Sequence, residues 1–262
     1  MKSASGIKAV FDRRAATYDG NTWHGRYAER LVELAAPAPG LRILDAATGT
    51  GLAAGAAARA VGPTGHVTGV DVSRGMLDVA KETVRLPNVG FLKADATRLD
   101  QFPDAFFDMV LCSAGLLYLP VETALGEWHR LLKPGGIVGF STMRAGSPVA
   151  GRLFREQARA YGLTLDDPAT PLGSAARCRQ ALRDTGFSPL NVAEESVRFA
   201  RSDLAYAWEA HARGTCHDAM ASLTAEQMAS FEREFTTTVA GLLRADEEQL
   251  LTAEVIYAFG RK

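Results

Sequence analysis

The sequence predicts a doubly wound α/β fold, and three observations carry that prediction. Apolar strand-like segments alternate with helical ones along residues 41–143, glycine and proline breakers separate them, and the first strand runs directly into a glycine turn that opens a helix. Such alternation implies a parallel sheet covered on both faces, because each right-handed crossover lays its helix against the sheet. Composition permits this: of 262 residues, 47% are hydrophobic and 23% charged, ordinary globular usage with enough apolar material for a sizeable core.

Taken in order, "GIKAVFDRRAATYDG" and "WHGRYAERLVELAA" space their apolar residues as helices do and end at the "PAPG" breaker, 37–40. "LRILDA" (41–46) reads as a buried strand, "GLAAGAAARAV" as a helix stopped by "GPTG", and "HVTGVDV" (66–72) as a second strand ending in an acid. Ser73 is the expected N-cap of the helix "SRGMLDVAKETVRL", and "NVGFLKADA" (88–96) is the third strand. "FFDMVLCSAGLLYL" supplies a fourth strand with an apolar exit loop, "VETALGEWHRLLK" a helix halted by "PGG" at 134–136, and "GIVGFSTM" (136–143) a fifth strand.

Beyond Met143 the rhythm loosens into a helix and a proline-containing loop, then a helix "SAARCRQALRDTGF", a strand "SPLNVAEESVRFA", a helical stretch over 202–248 and a last strand within "LLTAEVIYAF". The expectation is one domain over 1–262, built on a seven-stranded, mostly parallel sheet. Residues 1–38 form an N-terminal helical cap, 39–145 the core, and 146–172 and 200–248 helical insertions. The insertions are expected to roof the carboxyl ends of the strands, where ligands bind in such folds.

A formal net charge of -1 leaves no basic field for a string of phosphates, so nucleic acid is not an expected partner. No signal-peptide core opens the chain and no apolar run reaches the eighteen or so residues of a membrane span, so a cytoplasmic protein with no membrane span is expected. Cys112, Cys178 and Cys216 are widely spaced and odd in number, which fits reduced thiols and neither a disulfide framework nor a zinc site.

The chemistry concentrates in "ILDAATGTGLAAGAA", residues 43–57. Gly49, Gly51 and Ala54 satisfy the G-x-G-x-x-G/A pattern of a dinucleotide turn, and Asp71 lies twenty residues past Gly51, where that pattern places a ribose-binding acid. A nicotinamide cofactor is one reading of these residues. Asp45, four residues before Gly49, points elsewhere, since a pyrophosphate on the helix N-terminus repels a nearby carboxylate. A positively charged ligand suits it better, and S-adenosyl-L-methionine carries a sulfonium and an ammonium with no phosphate.

Behind "ILDAATGTG" come "GVDVSRGML", "KADATRL", "FDMVLCSAGLLYL" and "LLKPGG", and before it "FDRRAATYD". In these six stretches, over roughly residues 8–145, the chain resembles the class I S-adenosylmethionine-dependent methyltransferases, in particular the branch of ubiquinone and menaquinone biosynthesis methyltransferases. That resemblance implies a Rossmann-like sheet, S-adenosyl-L-methionine as cofactor and a set of cofactor residues. The backbone at Ala47, Thr48, Gly49 and Gly51 would lie by the methionine moiety, with Asp45 positioning that end. Asp71, next to Val72, would accept both ribose hydroxyls, and Met76 would pack on adenine. Asp95 and the Ala96 N–H would read the adenine edge, Ser113 would face the methionyl end, and Tyr18 would close over it. Read without the resemblance, Asp71 is a solvated strand end, Asp95 a helix cap and Met76 a core residue. The family usually has glycine at Ala47; alanine is neutral there if φ is ordinary and strains the turn if φ is positive.

Methyl transfer from a sulfonium is an in-line displacement, so the protein chiefly has to align the reacting atoms and exclude water. His24, in "YDGNTWHGRY", is the first candidate for a base, with Tyr18 beside it as the second catalytic candidate; the alternative for His24 is a half-buried helix histidine. His66 and His129 read as structural, whereas His211 and His217 reach the site only if the C-terminal helical segment is a lid. No metal is expected, because Cys112, Ser113 and "TMR" stand where metal-dependent relatives place acids and an Asp-Asn pair. "LDDP" (165–168) reads as a solvated loop. Leu116, Leu117, Tyr118, Phe154, Tyr161, Tyr206 and Trp208 suggest a small, fairly apolar acceptor, natural-product or quinone-like, methylated at oxygen or carbon, although helical packing explains most of them equally well. Two alternatives stand beside this: a methyltransferase-like domain that binds a small molecule or guides a rearrangement without methyl transfer, and an NAD(P)-dependent oxidoreductase.

Overall fold

Seven strands form one sheet: β1 (Arg42–Ala46), β2 (His66–Asp71), β3 (Val89–Lys93), β4 (Phe107–Ser113), β5 (Leu132–Met143), β6 (Ser188–Arg198) and β7 (Thr252–Arg261). Their order is β3-β2-β1-β4-β5-β7-β6 in the computed structural model, which describes residues 4–262; the first three residues of the expected 1–38 cap lie outside the described residues. The strands β1 to β5 pair in parallel, and β7 runs antiparallel to both β5 and β6. The expected seven-stranded, mostly parallel sheet is therefore present.

Helices α1 (Ala4–Arg14), α2 (Trp23–Ala35), α3 (Leu52–Val61), α4 (Arg74–Thr83), α5 (Val121–Leu131), α6 (Val149–Ala158) and α7 (Ala175–Asp184) surround it. One sheet face packs Leu44, Val110 and Phe140 under Trp128 of α5 and Leu182 of α7. The other packs Ile43, Leu111 and Tyr257 under Leu31 of α2 and Ala53, Ala57 and Val61 of α3. The central strands are thus buried on both sides, which is why they read as unbroken apolar runs. Because strand order reverses between β1 and β4, a crevice opens at their carboxyl ends.

One boundary differs from the sequence expectation. The strand β5 starts at Leu132, inside the expected helix, because Phe107 pairs with Leu132 and Met109 next pairs with Ile137, leaving 133–136 as a bulge. The chain terminus holds that bulge: the Lys262 N–H donates to Gly136 O at 2.9 Å and the Gly135 N–H to Lys262 O at 3.1 Å.

Above the strand ends, α6, the helix Ala225–Ala245 and the short helices before it enclose a third core around Phe154, Met220, Phe231 and Phe235. Tyr161 stacks on Phe231 at 4.9 Å and Trp208 meets Phe154 at 5.5 Å. For Phe154, Tyr161 and Trp208 the packing alternative holds, since they are internal to the roof, and Leu116 belongs to the sheet core. Among the described residues, no helix is long and apolar enough to cross a membrane.

Candidate functional site

The glycine turn begins with a buried acid. Asp45, 1% exposed, accepts the Thr48 hydroxyl at 2.6 Å on Oδ2 while its Oδ1 has no partner, and burial pushes its carboxyl up to about 7. Asp71 closes the turn from the next strand. Its Oδ2 accepts the Gly49 N–H at 2.9 Å and its Oδ1 the Ser73 N–H at 2.8 Å, and burial raises its pKa too. Each carboxylate oxygen keeps lone-pair capacity for a further donor.

The two motif glycines have different reasons to be glycine. Both are left-handed, at φ +56 for Gly49 and +82 for Gly51. A Cβ on Gly51 would meet Phe91 at 3.0 Å, Val84 at 3.1 Å and Ala80 at 3.2 Å, so that position packs against the fold; one on Gly49 meets nothing within 4 Å and would project into open space. Ala47 is left-handed as well, at φ +54, so alanine there does strain the turn. Gly115 provides its room: a Cβ on Gly115 would lie 2.6 Å from that of Ala47.

Tyr18, Ala47, Gly49, Asp71, Val72, Met76, Ala96 and Ser113 line one cleft of about 70 Å³, with Ile7 and Phe11 of α1 closing it. Asp45, Thr48 and Gly51 do not line it; the Thr48 hydroxyl is turned to Asp45, and the Gly51 N–H donates to Thr48 O at 2.9 Å within the turn. Asp95 is also outside it, its Oδ1 accepting the Thr97 N–H at 2.9 Å and hydroxyl at 2.7 Å in a local turn. The Ser113 hydroxyl is buried without a partner. An orphaned hydroxyl, a two-oxygen acceptor at Asp71 and the open space over Gly49 fit a ligand rich in hydroxyl and amino donors.

Asp12 was not among the sequence candidates. From α1 its Oδ1 accepts the Ser73 hydroxyl at 2.6 Å and the Gly75 N–H at 3.1 Å, while Lys8 lies 2.6 Å from its Oδ2. These hydrogen bonds and Lys8 outweigh burial, taking the Asp12 pKa down to about 2. The only sequence signal was its place in "FDRRAATYD". A second tie, Thr50 hydroxyl to Asp19 at 2.7 Å, fixes the 3-10 turn Ala15–Gly20 to the glycine loop.

Tyr18, Ala114 and Tyr118 line both this cleft and a second cavity of about 170 Å³ beneath the roof. His24 lies in its wall, 7% exposed, with its ring 4.3 Å from that of Tyr18 and its Nδ1 unpartnered. Burial, with the Arg14 charge, pulls its pKa down to about 4, so the imidazole is neutral at pH 7. The Tyr18 and Tyr27 hydroxyls are hydrogen-bonded to each other.

Two sequence expectations change here. The "LDDP" stretch is only partly solvated: Asp166 is exposed at the cavity rim, while Asp167 lines the wall, pairs with Arg155 at 3.0 Å and accepts the Gly146 N–H at 2.7 Å. His211 also lines it, pulled to about 4 by burial and by Arg155 and Arg14. His129, packed on Phe187 at 5.0 Å, and His66, at the start of β2, lie away from it. Of the expected acceptor-facing side chains, Leu117, Tyr118 and Tyr206 line the cavity.

Residues 43–136 match a sequence family described as a methyltransferase domain. A demethylmenaquinone methyltransferase of Staphylococcus aureus strain JH9 is 42% identical over 117 residues, 44% of this chain and 48% of that protein, so the chain spans about half the length of the curated relatives it matches. Among solved structures, a protein assigned as a methyltransferase from Bacillus halodurans C-125 superposes with a TM-score of 0.62 at 20% identity, covering 90% of this chain and 98% of that one. The cyclase SpnF, a (4+2) enzyme, superposes with a TM-score of 0.57 at 25% identity, covering 91% and 81%.

Proposed function

We propose that this chain, which resembles the class I S-adenosylmethionine-dependent methyltransferases of the menaquinone type, binds S-adenosyl-L-methionine at the β1–β2–β4 strand ends and transfers its methyl group to oxygen or carbon of a small, fairly apolar acceptor. The observation that supports it is the contact of two spaces, the cleft over Gly49 and Asp71 and the cavity under the roof, through the shared wall of Tyr18, Ala114 and Tyr118. The bound cofactor supplies an electrophilic methyl on a sulfonium. The chain supplies the rest: Asp71 takes the sugar donors, Met76 packs on the base, Ser113 Oγ meets the amino-acid end, and Ala96 is presented by the turn that Asp95 holds. Asp45, Thr48 and Gly51 keep the turn in shape.

In this reading His24 is the group nearest to serving as a base, and Tyr18 orients the acceptor between cleft and cavity. The cap, 1–38, and the insertions 146–172 and 200–248 exclude water around the core, 39–145. A quinone-like or natural-product acceptor suits the aromatic wall, and a cytoplasmic setting suits the buried thiols of Cys112 and Cys178.

The likeness to a (4+2) cyclase favours one second reading, a fold that keeps the pocket and guides a rearrangement without methyl transfer. Calorimetry with S-adenosylmethionine, S-adenosylhomocysteine and NADH comes first. Tight S-adenosylhomocysteine binding with silent NADH is expected; the reverse returns the chain to the nicotinamide alternative. Turnover against phenols, keto acids and amines then separates the two remaining readings, and cofactor binding without any methylated product favours the second.

A further inference from the structure

Arg14, the last residue of α1, brings to the cavity a charge that the methyl-transfer reading leaves unused. Its guanidinium is half-buried, 5.3 Å from the Tyr18 ring centre and 5.9 Å from that of Phe11, and among the described residues no carboxylate lies within ion-pair distance of it. The other charges around the cavity are accounted for. Arg155 is paired with Asp167 at 3.0 Å, and Asp166 sits exposed at the rim. Arg13 and Glu209 lie in an adjoining vestibule that shares Arg14 and Tyr206 with the cavity.

The uncharged groups respond to the same guanidinium. Burial first, and then Arg14 for His24 and Arg155 ahead of Arg14 for His211, keeps both imidazoles neutral. In Tyr18, Tyr27 and Tyr118 burial raises the pKa while Arg14 opposes it. One positive charge with no carboxylate partner among the described residues therefore faces a space walled by Tyr18, Trp23, Tyr27 and Tyr118. A half-buried guanidinium with no carboxylate partner is available to a ligand that brings the counter-charge. The space itself, about 170 Å³, is close to the roughly 150 Å³ cavity known to take a benzene ring, so it suits one six-membered ring.

We propose that the acceptor is a single-ring aromatic hydroxyl compound bound as its phenolate, with the oxyanion drawn to the Arg14 guanidinium. Arg14 is a specificity-determining residue in this arrangement. The proton of the free phenol goes to solvent through the vestibule, because His24, held near 4, does not retain it at neutral pH. The inference rests on the methyl-transfer reading only for the word acceptor; the anion site is a property of the cavity.

The test uses 4-nitrophenol, which absorbs visible light as phenolate and not as phenol, and its uncharged methyl ether, 4-nitroanisole. On the full chain the bound dye is expected to titrate about one pH unit or more below the free dye, and the ether to bind about tenfold or more weakly than the phenolate, the scale of a charge-assisted hydrogen bond. Arg14→Gln is expected to move the bound dye's titration back towards the free value. A dye that titrates at or above its free value, binds no better than the ether, does not bind, or titrates identically in Arg14→Gln overturns the proposal. The wild-type comparison decides even if the variant fails to fold. Calorimetry of S-adenosylhomocysteine on the same preparation keeps the two failures apart. A silent titration there overturns methyl transfer and leaves the anion site standing, whereas normal binding beside a failed dye test overturns only the phenolate.

Discussion

Ala47 and Gly115 face each other across the β1–β4 crevice, and the second residue makes room for the first. Gly115 has an ordinary φ of -77, so it is glycine for space and not for conformation. Gly115→Ala would place a Cβ 2.6 Å from that of Ala47 and 3.0 Å from Cys112 Sγ, overpacking that typically costs ~1–3 kcal/mol. Ala47→Gly removes the nearer clash and the left-handed strain, about 1 kcal/mol, against a similar gain in unfolded-state freedom. Urea unfolding of the four members of the cycle is expected to show Ala47→Gly near neutral alone and clearly compensating beside Gly115→Ala; additive effects would show that the two residues do not share this space. The two motif glycines separate in the same way. Gly51→Ala is expected to lose stability through Phe91 and Val84, whereas Gly49→Ala loses S-adenosylhomocysteine affinity beyond its strain of about 1 kcal/mol. Equal affinity losses in the two variants would remove that distinction. A G-x-G pattern is legible in sequence; which glycine faces the open cleft is not, because Phe91 arrives from β3 and Val84 from the end of α4.

Between elements, Asp12 ties α1 to the N-terminus of α4, where Ser73 Oγ caps the helix by accepting the Met76 N–H at 3.2 Å. A carboxylate beside these N–H groups also complements the helix dipole. Its folded pKa near 2 lies below the ordinary value of about 4, so its stabilisation is complete above pH 4 and is lost as pH falls through 2. The side chain is 30% exposed and partly screened, so Asp12→Asn is expected to lose no more than ~1 kcal/mol at pH 7. Denaturant melts at pH 7 and near pH 2 check this: the deficit of the variant shrinks in acid, and a pH-independent deficit means that the charge is irrelevant. The helix itself was legible from its apolar spacing. Its dock was not, since Ser73 stands sixty-one positions away and no local pattern pairs it with Asp12. The α5–β5 boundary failed for a related reason, because the bulge at 133–136 is held by the chain terminus.

Over the whole molecule, the parallel core was readable because each crossover is a local strand–helix–strand unit, whereas the cavity under the roof draws on Arg14, His24, Tyr118, Asp167 and His211, parts of the chain that only the fold brings together. The buried titratable groups of cavity and cleft oppose one another in acid. His24 and His211 fold with values near 4 against an ordinary 6.5, so the unfolded chain takes up their protons first and stability falls as pH drops from 6.5 towards 4. Asp45 has the opposite sign. Its folded value near 7 lies above 3.8, so its burial penalty is full above pH 7 and is relieved as pH falls through 7 towards 3.8, and Asp71 shifts in the same direction. The ligand-free protein is therefore expected to have a flattened stability profile between pH 4 and 6.5. Asp45→Asn removes one restoring limb, so relative to wild type it should lose stability steadily on acidification from pH 7 to 4, by at most ~4 kcal/mol. Thermal or urea melts at several pH values across that window measure the difference directly. Parallel profiles for variant and wild type would mean that Asp45 stays ionised beneath the turn and that the buried charge is compensated within the protein.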